Sequence, residues 1–374
     1  MQRIFHTPEG VRDIYGREYR RKKSLEEGIH KVFASHGFSD IQTPSFEYFE
    51  VFGNEVGTIP SRELFKFFNR DNDTLVLRPD FTPSVSRACA TYFNPDAEPV
   101  NLCYTGQAFV NTSSYQGRLK ETTQMGVEKM GDGSAAADAE ILAMAVECMK
   151  ASGLTEFQVS IGQVDYFKAL LDDADLTWEA EDKLRALISE KNAYGVEALV
   201  RKLGLSGEKA KAFFMLPQMF GSVDILKTAK ELATSEHARS AVERLEEIYT
   251  YLCAYGVQDH ITFDFGLLSK YQYYTGIIFQ AYTYGSGEPL LKGGRYNELL
   301  RHFGKPAPSV GFVIVVDSLL AALPEDETEE ELPETVTVFY TPEKTLDAIR
   351  TAAALRKEGK NVVMVPGKES SSGL

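Results

Sequence analysis

Residues 104–131 read YTGQAFVNTSSYQGRLKETTQMGVEKMG, and the second half of this stretch decides how the chain folds around it. As a strand, TTQMGVEKM sets Gln124, Gly126 and Glu128 on one face and Met125 and Val127 on the other, because strand side chains alternate. The apolar face is expected to pack and the polar face to look outward. A glycine between two polar groups leaves room for a ligand to lie against the backbone. Taken alone, the segment also fits a half-exposed strand with solvated Gln and Glu, so its neighbours matter.

Three further segments carry groups suited to a small polar ligand. In LRPDFTPS (77–84), Asp80 and Thr82 lie two residues apart. A carboxylate beside a hydroxyl suits a primary ammonium with three donors to satisfy, although the same residue types also make turns. KYQYYTGIIF (270–279) carries Tyr271, Tyr273 and Tyr274, and KGGRY (292–296) carries Tyr296. Tyrosine joins an apolar face to a polar tip, which fits a flat heterocycle, while core or rim packing is its ordinary use.

With HTPEGVRDI (6–14), these segments resemble the active-site motifs of histidyl-tRNA synthetase, a class II aminoacyl-tRNA synthetase. The resemblance implies an α+β fold built on an antiparallel sheet flanked by helices. By the same resemblance Asp80 and Thr82 would hold the amino group of histidine, Asp80 standing where the family has Glu and reaching one methylene less far. Gln124 would help hold the polar end of the amino acid, and Glu128 would accept a hydrogen bond from an imidazole nitrogen. Tyr274 and Tyr296 fall on matching ligand positions. GFSDIQTPSFEYFEVF (37–52) resembles the first class II motif, a dimer interface around a proline; read by itself, it is an edge strand with a proline.

The departures from the family matter more than the matches. Class II synthetases condense a carboxylate with the α-phosphate of ATP, and arginines fix and neutralise both reactants. At three arginine positions of the family this sequence has Val110, Ser269 and Ser318, and Thr112 stands where a glutamate helps seat ATP. Losing one preorganised donor costs about 10²–10³ in rate. Such losses do not strictly add, yet three of them leave no useful adenylate synthesis. Arg118 and Lys120 read as a solvated loop, and Arg295 as support for the pocket wall rather than an ATP contact.

A synthetase-like pocket stripped of its activation arginines resembles the regulatory-subunit family of ATP phosphoribosyltransferase. That resemblance implies a chain with no catalytic residues and no cofactor, partnered by a short-form catalytic subunit in a hetero-octamer, with self-dimerisation inside it. It further implies feedback by L-histidine on the first step of histidine biosynthesis. Neither tRNA binding nor membrane association is expected. An active histidyl-tRNA synthetase is one alternative, and a purely structural activator that does not sense histidine is another.

Composition agrees with these limits. With 374 residues and 43% hydrophobic content, the chain can bury a sizeable core, one large domain with smaller units. A formal charge of −14, without a basic stripe interleaved with aromatics, argues against a nucleic-acid surface. No apolar run approaches the roughly 20 residues of a membrane span, and MQRIFHTPEG lacks the pattern of a secretory signal, so the cytoplasm is the expected location. Cys89, Cys103, Cys148 and Cys253 are too scattered for a CxxC pair and are expected to be reduced and mostly buried. The histidines show no metal-ligand spacing, and His30 and His36 near a helix end read as capping or solvated residues.

Periodicity supplies the rest of the organisation. A helix is predicted over 18–36, with Leu25, Ile29, Val32 and Phe33 on one face and Gly37 as its stop. Strands are predicted at 74–78, 100–109, 122–129, 261–265 and 277–284, and an amphipathic helix at 138–152. A charge-rich helical insertion covers about 168–256, and an apolar segment runs over 309–323. These make up a synthetase-like body over 1–323. PEDETEEELPE (324–334) reads as a self-repelling acidic linker. Residues 335–374 spell strand, helix, strand, a small βαβ unit that the resemblance makes a truncated anticodon-binding-like domain.

Overall fold

The alternating strand around Glu128 runs from Glu121 to Met130 and lies inside a nine-stranded sheet that organises the larger part of the protein. The computed structural model describes residues 6–53, 59–112, 118–268, 274–324 and 335–367. Ser269, Tyr271 and Tyr273 fall outside the described residues. The chain divides into two compact units, 1–323 and 324–374.

In chain order, α1 (Gly16–Ser35) leads to β1 (Ser39–Asp40), β2 (Phe46–Tyr48), β3 (Lys66–Phe68), β4 (Thr74–Leu77) and α2 (Thr82–Tyr92). The long pair β5 (Val100–Phe109) and β6 (Glu121–Met130) precedes α3 (Ala135–Ala151) and β7 (Phe157–Gln163). Then come α4 (Val164–Ala174), α5 (Trp178–Ser189), α6 (Ala193–Lys202) and α7 (Gly207–Met215). A short β8 (Phe220–Gly221), α8 (Ile225–Leu232) and α9 (Glu236–Tyr255) follow. The body closes with β9 (Ile261–Asp264), β10 (Ile277–Thr283), β11 (Leu291–Arg295), β12 (Ser309–Val315) and α10 (Val316–Ala322).

The large sheet has the order β1-β5-β6-β12-β11-β10-β7-β9-β8. Every pairing from β5 to β7 is antiparallel, while β1 with β5 and β7 with β9 are parallel. Strands β2, β4 and β3 form a separate three-stranded sheet. In the second unit β13 (Thr335–Tyr340) runs parallel to β14 (Asn361–Pro366), and α11 (Thr345–Lys357) turns Ala348 and Ala352 inward.

Local chemistry explains the boundaries. Gly37, at φ +75°, ends α1: its N–H reaches Ala34 O at 3.0 Å and the Phe38 N–H reaches Phe33 O at 3.1 Å, a glycine C-cap. The segment around Pro44 is two short strands in different sheets rather than one, because proline has no N–H to continue a ladder. The apolar run 309–323 likewise splits, into β12 and α10. The amphipathic expectation for residues 138–152 needs correction. Helix α3 is buried on nearly every side, between β12, α1 and α9, and its alanines 135, 137, 139, 143 and 145 let those neighbours approach closely. A helix that is apolar all round belongs in a core.

Of the charged residues of that helix, Asp138 is the buried one. Asp138 is 1% exposed, and its Oδ1 accepts Arg295 Nε from β11 at 2.7 Å. Its Oδ2 accepts Arg244 Nη2 from α9, also at 2.7 Å. Removing one partner of a buried ion pair typically costs about 3–5 kcal/mol, because the other charge stays desolvated. Asp138→Ala should therefore lower the stability of the 1–323 unit by about that much, measured as a reduced urea midpoint at unchanged slope.

Candidate functional site

The register of three adjacent strands builds the floor of a cleft. Glu128 on β6 lies beside Gly311 on β12, which lies beside Gly294 on β11. Two residues along, the row reads Gly126, Val313, Lys292, and the next begins with Gln124 and Val315. The cleft above these rows has a volume of about 170 Å³. Asp80, Thr82, Gln124, Glu128, Tyr274 and Tyr296 all line it, although they come from four separate stretches of sequence.

Glu128 does not look outward as its strand pattern predicts; it is 1% exposed. Thr82 Oγ1 donates to its Oε1 at 2.6 Å, and the Tyr296 hydroxyl donates to its Oε2. Burial pushes the Glu128 carboxyl up to about 8, against the opposing effect of the Thr82 and Tyr296 hydroxyls, with Asp80 adding to the rise. Burial also raises the Tyr104 and Tyr296 phenols well above their ordinary range.

Glycines create the space these groups occupy. A Cβ at Gly311 would collide with the Glu128 carboxylate and the Val127 carbonyl. At Gly294 it would meet the Tyr274 ring at 2.6 Å. The room above Gly126, expected to admit a ligand, is filled by Tyr104. That side chain is buried and stacks on Phe81 with centroids 4.4 Å apart and planes within 6°. The glycine pair of KGGRY thus serves packing: Gly293 gives way to Phe279 and Gly294 to Tyr274.

The turn that carries Asp80 is pinned by Arg78. Its Nη1 reaches Thr43 O at 2.7 Å, its Nε reaches Gln107 O at 2.8 Å, and the guanidinium lies 3.9 Å from the Phe81 centroid. Asp80 Oδ1 accepts the Thr82 N–H at 3.2 Å as α2 begins, so the pair makes a turn and lines the cleft at once. Gln124 Oε1 is buried and has no hydrogen-bond partner among the described residues, which makes it an acceptor with unused capacity.

The positions that depart from the synthetase pattern occupy different places. Val110 lines the cleft. Thr112 sits just beyond it in sequence, with a buried Oγ1 that lacks a partner among the described residues. Ser318 is on α10, and its neighbour Asp317 belongs to a buried ion pair with Lys22 at 2.8 Å while accepting the Thr123 N–H at 2.6 Å. Ser269 lies outside the described residues. Arg295, expected to support the pocket wall, does not line the cleft; it is turned to the other face of β11 from Lys292 and Tyr296 and is bound to Asp138, and exposed Arg118 pairs with Glu288 at 2.5 Å.

Other functional residues escaped the sequence reading. Tyr104, Gly311 and Gly294 are given no role by the sequence pattern; what sets Tyr104 over the glycine of β6 is the β5–β6 register. His30, expected as a capping or solvated residue, is partly exposed, and its Nε2 lies 2.9 Å from Asp40, toward which Cys103 Sγ also donates at 3.6 Å. These three form a potential metal-holding group among the described residues. Burial, reinforced by Asp40, pushes the Cys103 thiol up to about 12, so the group reads as a hydrogen-bonded cluster. His36 pairs with Glu147 at 3.0 Å. Cys89, Cys103 and Cys148 are buried free thiols and Cys253 is exposed.

The profile of the histidyl-tRNA synthetase family matches residues 10–319. An ATP phosphoribosyltransferase regulatory subunit from Acetivibrio thermocellus is 38% identical over 355 residues, covering 95% of this chain and 85% of that protein. A crystal structure of an ATP phosphoribosyltransferase regulatory subunit/histidyl-tRNA synthetase from Bacillus halodurans C superimposes with a TM-score of 0.89 at 33% identity, over 100% of this chain and 95% of the other. Histidyl-tRNA synthetase from Nostoc sp. PCC 7120 shares the fold, with a TM-score of 0.80 at 23% identity over 99% of this chain and 88% of that one.

The burial of Glu128 has a measurable consequence. Its folded-state value lies above the ordinary 4.5, so the folded protein holds a proton that the unfolded chain releases. That contribution to stability is complete below about pH 4.5, declines as pH rises, and is gone above about pH 8. Between about pH 6 and pH 9, the thermal midpoint of the ligand-free protein should fall further than that of Glu128→Gln. Parallel slopes for the two proteins would remove the buried-acid assignment.

Proposed function

The chain belongs to the histidyl-tRNA synthetase-like family, among the ATP phosphoribosyltransferase regulatory subunits, and on that premise we propose that it is the non-catalytic regulatory subunit of that enzyme, with L-histidine as its effector in the cleft. The observation that carries this reading is the pairing of a buried, doubly hydrogen-bonded Glu128 with an apolar Val110 lining the same cleft. The first is a partner for an imidazole nitrogen. The second stands where a synthetase would hold a phosphate-binding arginine.

The ligand chemistry follows from the lining. A cavity of about 150 Å³ holds a benzene-sized ring, so about 170 Å³ suits one amino acid with a small heterocycle. Glu128 and Tyr296 take the imidazole; Asp80, Thr82 and the unused Gln124 acceptor take the ammonium. At neutral pH a protonated Glu128 and a neutral imidazole hold a single titratable proton between them. The ring therefore enters without carrying an uncompensated charge into a dry site.

As a regulator the chain leaves the joining of ATP and phosphoribosyl pyrophosphate to a short-form catalytic subunit, in a hetero-octamer that contains dimers of this chain. Support for self-association comes from the small sheet, where the register puts Phe46, Tyr48 and Phe67 on one face and leaves them 52%, 54% and 37% exposed, an uncovered apolar face of the kind found at interfaces. Feedback requires histidine to favour one conformation of the complex over another. A cytoplasmic setting fits this role, and no described helix is long and apolar enough to cross a membrane.

The test combines this chain with a short-form catalytic subunit. Phosphoribosyl transfer should depend on the mixture and fall when histidine is added. The chain alone should exchange no pyrophosphate into ATP, and efficient exchange would refute the non-catalytic reading. Calorimetry should show histidine binding to the wild type and none to Glu128→Ala, with the circular dichroism spectrum preserved; unchanged affinity in the variant would remove this cleft as the histidine site.

A further inference from the structure

An amino acid seated with its ring on Glu128 must also place its carboxylate. The positions that resemble synthetase arginines offer no cation for it at Val110 or Ser318. Among the described residues lining the cleft, Lys292 is the one cationic side chain. It forms no hydrogen bond or ion pair with another described residue. We propose that Lys292 recognises the α-carboxylate of the ligand, an assignment that rests on reading the cleft as an L-histidine site.

Geometry supports the role. Alternation along β11 puts Lys292 on the same face as Gly294 and Tyr296, the face that meets the cleft. The register sets it in the row of Val313 and Gly126, one row from Glu128, Gly311 and Gly294. Two residues of strand span about 7 Å, the order of separation between the ring and the carboxylate of an extended amino acid with a one-carbon linker. Tyr104 fills the space above Gly126 in this second row. The ligand is thereby directed over Val313 toward the strand that bears Lys292.

Charge is balanced by the same arrangement. Asp80 faces the ammonium and Lys292 the carboxylate, so a zwitterion meets one opposite charge at each end. An ammonium is a point charge on a flexible stem and cannot clamp two oxygens as a guanidinium does. Lysine at this position therefore gives recognition without the bidentate grip that adenylate formation uses. Lys292 is exposed, and its replacement does not threaten the fold.

The experiment is calorimetric titration of the full chain with L-histidine and with L-histidinol, in which an alcohol replaces the carboxylate. Lys292→Met should weaken histidine about tenfold, the scale of one charge-assisted hydrogen bond, and leave histidinol unchanged. Lys292→Arg should restore histidine binding. Unaltered histidine affinity in Lys292→Met, or equal losses for both ligands, would overturn the role of Lys292 while leaving the cleft a histidine site. Absence of histidine binding to the wild type would instead overturn the reading of the cleft, and this inference with it.

Discussion

Everything in the cleft depends on one carboxyl group being held out of water. Glu128 is enclosed between a hydroxyl from the first turn of α2 and a hydroxyl from the chain just past β11. Neither donor is near it in sequence, so their convergence is a property of the whole sheet. A buried carboxyl without partners would be expelled or would disrupt its surroundings. Here two hydroxyls reduce the penalty while burial still favours the protonated form. The bare backbone at Gly311 is what allows the group to sit so deep.

Around that centre the structure places charges where they brace rather than react. Arg78 locks the turn bearing Asp80 by hydrogen bonds to backbone carbonyls and by stacking on Phe81. Arg295 is consumed by Asp138, which also holds Arg244 of α9. Lys22 and Asp317 neutralise each other next to the N–H of Thr123 on β6. Each of these cations is committed to a structural partner, in agreement with a cleft built for holding a ligand rather than for stabilising a phosphoryl centre.

Much of this is legible in the sequence. The strand over residues 100–109, the helix ending at Gly37 and the cleft-lining set from Asp80 to Tyr296 follow from periodicity, turn chemistry and motif resemblance. What was not readable had identifiable causes. The sequence pattern predicts an amphipathic helix over 138–152, whereas Asp138 is buried against two arginines brought from distant segments. Glu128 was expected to face outward because alternation describes which residues share a face and not what covers that face. Tyr104 covers it by crossing the glycine of the neighbouring strand, a relationship that appears only once the register is known.

The glycines beneath the ligand groups also shape how such a protein can diversify. Gly126, Gly311 and Gly294 each abut a functional side chain at a distance no methyl group could share, so the floor tolerates no variation that keeps the cleft open. Drift toward other amino acids must therefore work from the rim, through residues such as Val110 and Tyr274. A combinatorial library aimed at re-tuning ligand choice would find its productive variants there, with the sheet beneath serving as an invariant platform.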